Sequence, residues 1–141
     1  MSFVESPVSG SVRVWLRLEG FCALLLALCF YWQAHETGHG SWLLFAVLFL
    51  APDLSMLGFL AGAKVGATAY NVAHNYILPL ALAGFATLTD RREALPYALI
   101  WIAHIGLDRA LGYGLKYGSG FGHTHLGWIG KGNAEKTPAA S

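Results

Sequence analysis

The sequence predicts an all-α fold, a four-helix transmembrane bundle with a glycine-rich C-terminal segment folding back on its cytoplasmic face. Three observations predict it. Of the 141 residues, 55% are hydrophobic and only 12% charged, where a soluble domain carries about 25% charged residues; the mean hydropathy is +0.49. Four apolar stretches of about 20 residues follow one another, each long enough to cross a bilayer at about 1.5 Å per residue. Finally, Ala98–Gly112, ALIWIAHIGLDRALG, reads as a span yet carries His104 and Asp108. Spaced i, i+4, these share one helix face. A charged residue at mid-membrane costs about 2.5–3.5 kcal/mol to insert, so the pair marks a functional interior rather than a bland anchor.

The chain divides into a mobile N-terminal tail (1–12), the bundle (13–117) and a capping segment with a polar tail (118–141). Residues Met1–Val12 hold Pro7, Ser9, Gly10 and Ser11 and suit a short mobile tail. The first span is Val14–Trp32. Glu19 interrupts its apolar run and Phe30, Tyr31 and Trp32 make a poor cleavage site, so it reads as a retained span, not a signal peptide. Gln33–Gly40, QAHETGHG, is a loop. Ser41–Leu60 is the second span, with Ser41 as N-cap and Trp42 at the interface. Gly66–Leu88 is the third, kinked at Pro79, and Ala94–Gly112 the fourth, after the polar loop Thr89–Glu93. Cys22 and Cys29 read as small apolar fillers.

Four spans put both termini on one side. That side carries Arg13, Arg17, Lys64, Arg109, Lys116, Lys131 and Lys136; the other carries Arg91 and Arg92, balanced by Asp90 and Glu93. The positive-inside bias places both termini in the cytoplasm. A net charge of +1 argues against a nucleic-acid partner. Gly58 and Gly62 permit close helix approach, read as packing within the bundle; an oligomer is possible but not indicated.

Polar groups from separate spans lie at one depth, the inner half: Glu19 on the first, Asp53 on the second, Tyr70, Asn71, His74 and Asn75 on the third, His104, Asp108 and Arg109 on the fourth. Lipid cannot solvate them, so they must face one another. Asp53, His74, His104 and Asp108 suit a divalent metal, Zn, Fe or Mn. The same residues suit a metal-free cleft or a structural hydrogen-bonded network. Pro52 breaks the helix ladder just before Asp53. In the tail, GYGLKYGSGFGHTHLGWIG, the glycines allow re-entry over the inner mouth, which offers His125 as a further ligand. The loop His35-Glu36-Thr37-Gly38-His39 matches the HExxH pattern, but its two glycines and interhelical position disfavour the helix that zinc binding needs.

The phrases WLLF (Trp42–Phe45), LAPDLSMLGFLAG (Leu50–Gly62), YNVAHNY (Tyr70–Tyr76), AHIGLDRALGYGLKYG (Ala103–Gly118) and THLGWIG (Thr124–Gly130) resemble an uncharacterised bacterial integral-membrane family, domain of unknown function 4260. The resemblance runs from about Leu16 to Gly130 and implies a small four-span membrane fold in the bacterial inner (plasma) membrane, with no established activity. Asp53, Asn71, His74, His104, Asp108, Arg109 and His125 fall inside its motif stretches; the HETGH loop does not. A weaker similarity is to membrane-bound metal-dependent hydrolases, which place Asp and His ligands on membrane helices. These readings lead to a metal-dependent enzyme, a hydrolase or an iron oxygenase, acting on a lipid or lipid-linked substrate. Asp53, His74, His104, Asp108 and His125 would hold the metal, and Asn71 and Arg109 would orient substrate or neutralise a developing oxyanion. The alternative is a non-catalytic transporter, sensor or accessory subunit with a buried polar network.

Overall fold

The computed structural model describes residues 6–130. The expected polar C-terminal tail, the first residues of the N-terminal tail, and Lys131 and Lys136 of the charge argument lie outside the described residues. The described chain is mostly helical: α1 (Gly10–Glu36), α2 (Trp42–Phe49), a 3-10 run (Ala51–Ala61), α3 (Ala63–Ala73), α4 (Ile77–Leu88), a 3-10 turn (Arg92–Ala94) and α5 (Leu95–Leu111). A small hairpin, β1 (His123–Thr124) and β2 (Gly127–Trp128), closes it, pairing His123 with Trp128 and Thr124 with Gly127. Helix α1 starts inside the expected tail, and Val8 N–H donates to His125 O at 2.7 Å.

Two helical stretches are long and apolar enough to cross a membrane, α1 and the continuous run Trp42–Ala61. Large apolar side chains stand fully outward along the fold, among them Leu43, Leu60, Ile77 and Leu88. The buried core is thin, with alanines set among a few large side chains such as Tyr31, Ile100, Ile105 and Leu126. Helices α1 and α5 form its central pair, with Gly20 against Gly106 at the crossing. A methyl on Gly20 would collide with Arg109 Cβ, and one on Gly106 would meet Leu24 N at 2.7 Å. Only bare backbone lets the two axes come so close. At the other end Tyr31, Leu99 and Ile100 pack with Phe45 and Phe49. There Tyr31 Oη donates to Ser41 O at 2.7 Å, while Ser41 Oγ accepts from Leu44 N–H at 3.1 Å as the N-cap of α2.

The third expected span is two helices, and its break lies at His74–Tyr76 rather than at Pro79. The cause is still Pro79. It lacks an N–H and crowds the carbonyl four residues back, that of Asn75. Asn75 then serves both broken ends. Its Nδ2 donates to the carbonyls of Asn71 and Val72, at 2.7 and 2.9 Å, and its Oδ1 accepts from Ile77 N–H at 2.9 Å.

Pro52 ends α2 and begins a 3-10 run of eleven residues, where such runs rarely exceed 3–4 residues. Three residues make one turn, so residues three apart stay aligned. Leu54, Leu57 and Leu60 accordingly face outward while Asp53, Met56 and Phe59 face in. Gly58 packs on Ala69 and Gly66 of α3, and Gly62, at φ +118°, makes the turn into α3. Helix α5 ends at Gly112, whose φ of +94° is the left-handed cap that glycine adopts without strain. The chain then returns over the α3 end as an extended segment. Asn71 clamps it: its Nδ2 donates to Lys116 O at 2.8 Å and its Oδ1 accepts from Lys116 N–H at 2.7 Å.

Candidate metal centre

Asp53, His74, His104 and Asp108 meet in the interior, one ligand atom from each lying within 4.8 Å of the others. The 3-10 run supplies the first, the C-terminus of α3 the second, and one face of α5 the last two. His74 Nε2 lies 3.1 Å from His104 Nε2, 3.4 Å from Asp53 Oδ1 and 3.5 Å from Asp108 Oδ2. His104 Nε2 lies 3.4 Å from Asp53 Oδ1 and 3.7 Å from Asp108 Oδ2. A tetrahedral ion bound at about 2.0–2.1 Å by nitrogen and oxygen sets its ligand atoms about 3.3 Å apart. The five separations above, 3.1–3.7 Å, are close to that value, and all four atoms lie within 4.8 Å of one another. This group is close enough to bind a metal ion.

Its surroundings orient the ligands. The Nδ1–H of His74 donates to Tyr70 O at 2.9 Å. That fixes the neutral tautomer with the Nε2 lone pair aimed at the group, as outer partners of metal-bound histidines do. Tyr70 lies flat on the His74 ring, centroids 3.7 Å apart, and its Oη donates to Asp108 Oδ2 at 3.1 Å. His104 Nδ1 is buried with no partner among the described residues, and Phe49 holds that ring edge-on at 5.3 Å. Without a shared proton or cation, two imidazole lone pairs and two carboxylates would repel at these distances. Both histidines are buried, at 1% and 3% exposure, whereas the Asp53 side chain keeps 34%. The group is therefore closed on its imidazole side and open on its carboxylate side. It opens into a cavity of about 250 Å³ shared with Tyr113, Lys116 and Phe121.

His125, expected as a further ligand, is not in the group. Its Nδ1 accepts from Leu115 N–H at 2.8 Å, so it holds the returning segment in place; burial lowers its pKa from the ordinary histidine value. Asn71 and Arg109, expected to orient substrate or neutralise an oxyanion, hydrogen-bond to backbone in this structure. Asn71 carries the Lys116 clamp, and Arg109 donates from Nη2 to His74 O at 2.9 Å and from Nη1 to Tyr113 O at 3.1 Å. Both position the segments that bear the site. In the HETGH stretch, His35 and Glu36 belong to the last turn of α1 rather than to the expected loop; His35 Nδ1–H donates to Gly40 O at 2.9 Å, and His39 pairs with Thr37 Oγ1 at 3.2 Å.

Two residues gain importance from the structure. Tyr70 is the hydrogen-bonded link between ligands. Lys116, counted from the sequence only among the charges of the terminal side, is only 5% exposed at the cavity wall, with Nζ donating to Phe121 O at 2.7 Å. Burial lowers its pKa from the ordinary lysine value, and Asp108 and Asp53 oppose that shift.

The family model for the domain of unknown function DUF4260 matches residues 13–129, and the chain belongs to that family. No curated protein and no solved structure matches the chain.

Proposed function

We propose that this DUF4260 protein is a membrane-embedded, metal-dependent enzyme, a hydrolase acting on a lipid or lipid-linked substrate. The observation that carries the reading is the close approach of one ligand atom each from Asp53, His74, His104 and Asp108, all within 4.8 Å, beside an open cavity. Buried polar groups this close are costly unless each is partnered. A divalent cation, Zn, Fe or Mn, partners all four at once. When bound it lowers the pKa of a coordinated water and so supplies a nucleophile near neutral pH.

The chain's own residues do the rest. Asp53, at the open edge, is the ligand nearest to arriving substrate. Tyr70 holds the Asp108 carboxylate through its hydroxyl and stacks on His74, so that both ligands keep one orientation. Arg109 and Asn71 fix the His74 turn and the returning segment at Lys116, which flank the site.

The outward apolar side chains and the two long apolar helical stretches support insertion in a bilayer. In this reading α3 with α4, and α5, complete four crossings. The site then lies in the half nearer Arg13, Arg17 and Lys116, the cytoplasmic half, where the returning segment caps it.

The test is metal content and thermal stability side by side for wild type, His104→Ala and Asp108→Asn. Stoichiometric metal in wild type, lost in both variants and kept on replacing His35 or His39, is the expected result. Metal-free wild type with both variants merely destabilised would end the reading.

A further inference from the structure

We propose that the cavity beside the four-ligand group binds a phosphate group carried by a membrane amphiphile, with Lys116 as its cationic contact. This deepens the metal-centre reading and rests on it.

The first support is an unneutralised buried charge. A lysine is almost never buried unless paired, yet among the described residues no carboxylate forms an ion pair with Lys116. The hydrogen bond to Phe121 O spends one of three ammonium protons. The remaining contacts are aromatic faces: Phe121 at 3.8 Å, Tyr70 at 4.7 Å and Phe59 at 5.8 Å from ring centroid to Nζ. Such faces hold a cation in place without cancelling its charge.

The second support is the charge balance of the cavity. Asp53 and Asp108 line the same space as Lys116. A divalent cation in the group offsets both carboxylates, and the ammonium is then in excess. Arg109 is tied to two backbone carbonyls. The cavity therefore favours an anionic group placed between the metal group and Lys116, and an ammonium is a common point-charge contact for phosphate.

The third support is location. Lys116 follows the end of α5, at the end of the molecule where Arg13 and Arg17 also lie; Arg17 Nε–H donates to Ala110 O at 2.8 Å. With the outward apolar faces in the hydrocarbon, that end is at the headgroup level, where lipid phosphates reside. A lipid-borne phosphate needs no further carrier to reach it.

The test uses metal-loaded protein in detergent micelles, titrated with dihexanoyl phosphatidic acid, dihexanoylglycerol and inorganic phosphate. Saturable binding of the phosphatidic acid is expected, weakened roughly tenfold or more in Lys116→Met at unchanged metal content and retained in Lys116→Arg. Equal binding by wild type and Lys116→Met, or equal binding of dihexanoylglycerol, overturns the proposal. Inorganic phosphate binding as tightly as the phosphatidic acid overturns its amphiphile half and makes free phosphate the ligand. If Lys116→Met fails to fold, acylation of Lys116 in wild type, followed by mass spectrometry, decides: slowing by phosphatidic acid supports the site, and an unchanged rate overturns it. Metal-free wild type would defeat the metal-centre reading and, by leaving Asp53 and Asp108 unbalanced beside Lys116, the phosphate site with it; loss of the Lys116 dependence in metal-loaded protein overturns the phosphate site alone.

Discussion

Tyr70 shows how much one hydroxyl can carry. Its Oη donates to Asp108 while its ring covers His74, so one side chain orients two ligands on different helices. Tyr70→Phe keeps the stacking and removes the bond. Metal affinity should fall roughly 10–100-fold, measured by chelator competition, and stability by about 1 kcal/mol; unchanged affinity would show that Tyr70 orients nothing. At His125 the prediction concerns pH. Its folded pKa lies below the unfolded value because burial disfavours the charged ring. Its contribution to stability is therefore complete above about pH 6.5 and is lost as the pH falls from there toward the folded pKa. Proteolysis of the returning segment should accelerate on acidification through that window, and His125→Asn, whose amide oxygen can still accept from Leu115 N–H, should show a flatter profile. Lys116 marks what residue-level reading misses. In GYGLKYG it is one more charge for the orientation count, and nothing in the letters says that three aromatic rings and a carbonyl enclose it.

The 3-10 run does at the scale of an element what Asp53 cannot do alone. In an α-helix a three-residue step turns about 300°, so Asp53, Met56 and Phe59 would drift off a common face. The three-residue turn keeps them in line toward the cavity, with Leu54, Leu57 and Leu60 outward. Pro52→Ala restores an N–H and favours a continuous α-helix. The expected outcome is loss of metal binding with gain in helix content by circular dichroism, because Asp53 rotates away from the histidines. The α1–α5 crossing gives a second prediction. Gly106→Ala puts a methyl against the Leu24 backbone and should cost about 1–3 kcal/mol through overpacking, read as a lower Tm. A neutral result would mean that the helices can part without loss.

Topology belongs to the whole molecule. The arginines of α1, the C-terminus of α5 and Lys116 gather at one end, with Arg91 and Arg92 beyond α4 at the other. A reporter fused after Ser141 should score cytoplasmic, and one inserted between Asp90 and Glu93 periplasmic. The reverse pattern would move the candidate site to the outer half and remove the cytoplasmic access proposed for its substrate.

Helix as the dominant structure, the apolar exterior and the residues of the central group were legible in the sequence, each for a local reason. Apolar length forces backbone hydrogen bonds to close within the segment, and ionisable residues in such segments can only turn inward. The convergence of Asp53, His74, His104 and Asp108 could thus be inferred from depth alone. Depth is a one-dimensional coordinate, however, and says nothing of the direction in which a polar group points. Tertiary structure alone decided that Asn71 and Arg109 bond to backbone groups, that His125 holds a loop instead of joining the group, and that Lys116 lies within the cavity wall. These outcomes depend on where a glycine-rich segment, with little conformational preference of its own, comes to rest against distant helices, and only the packing of the whole chain determines that.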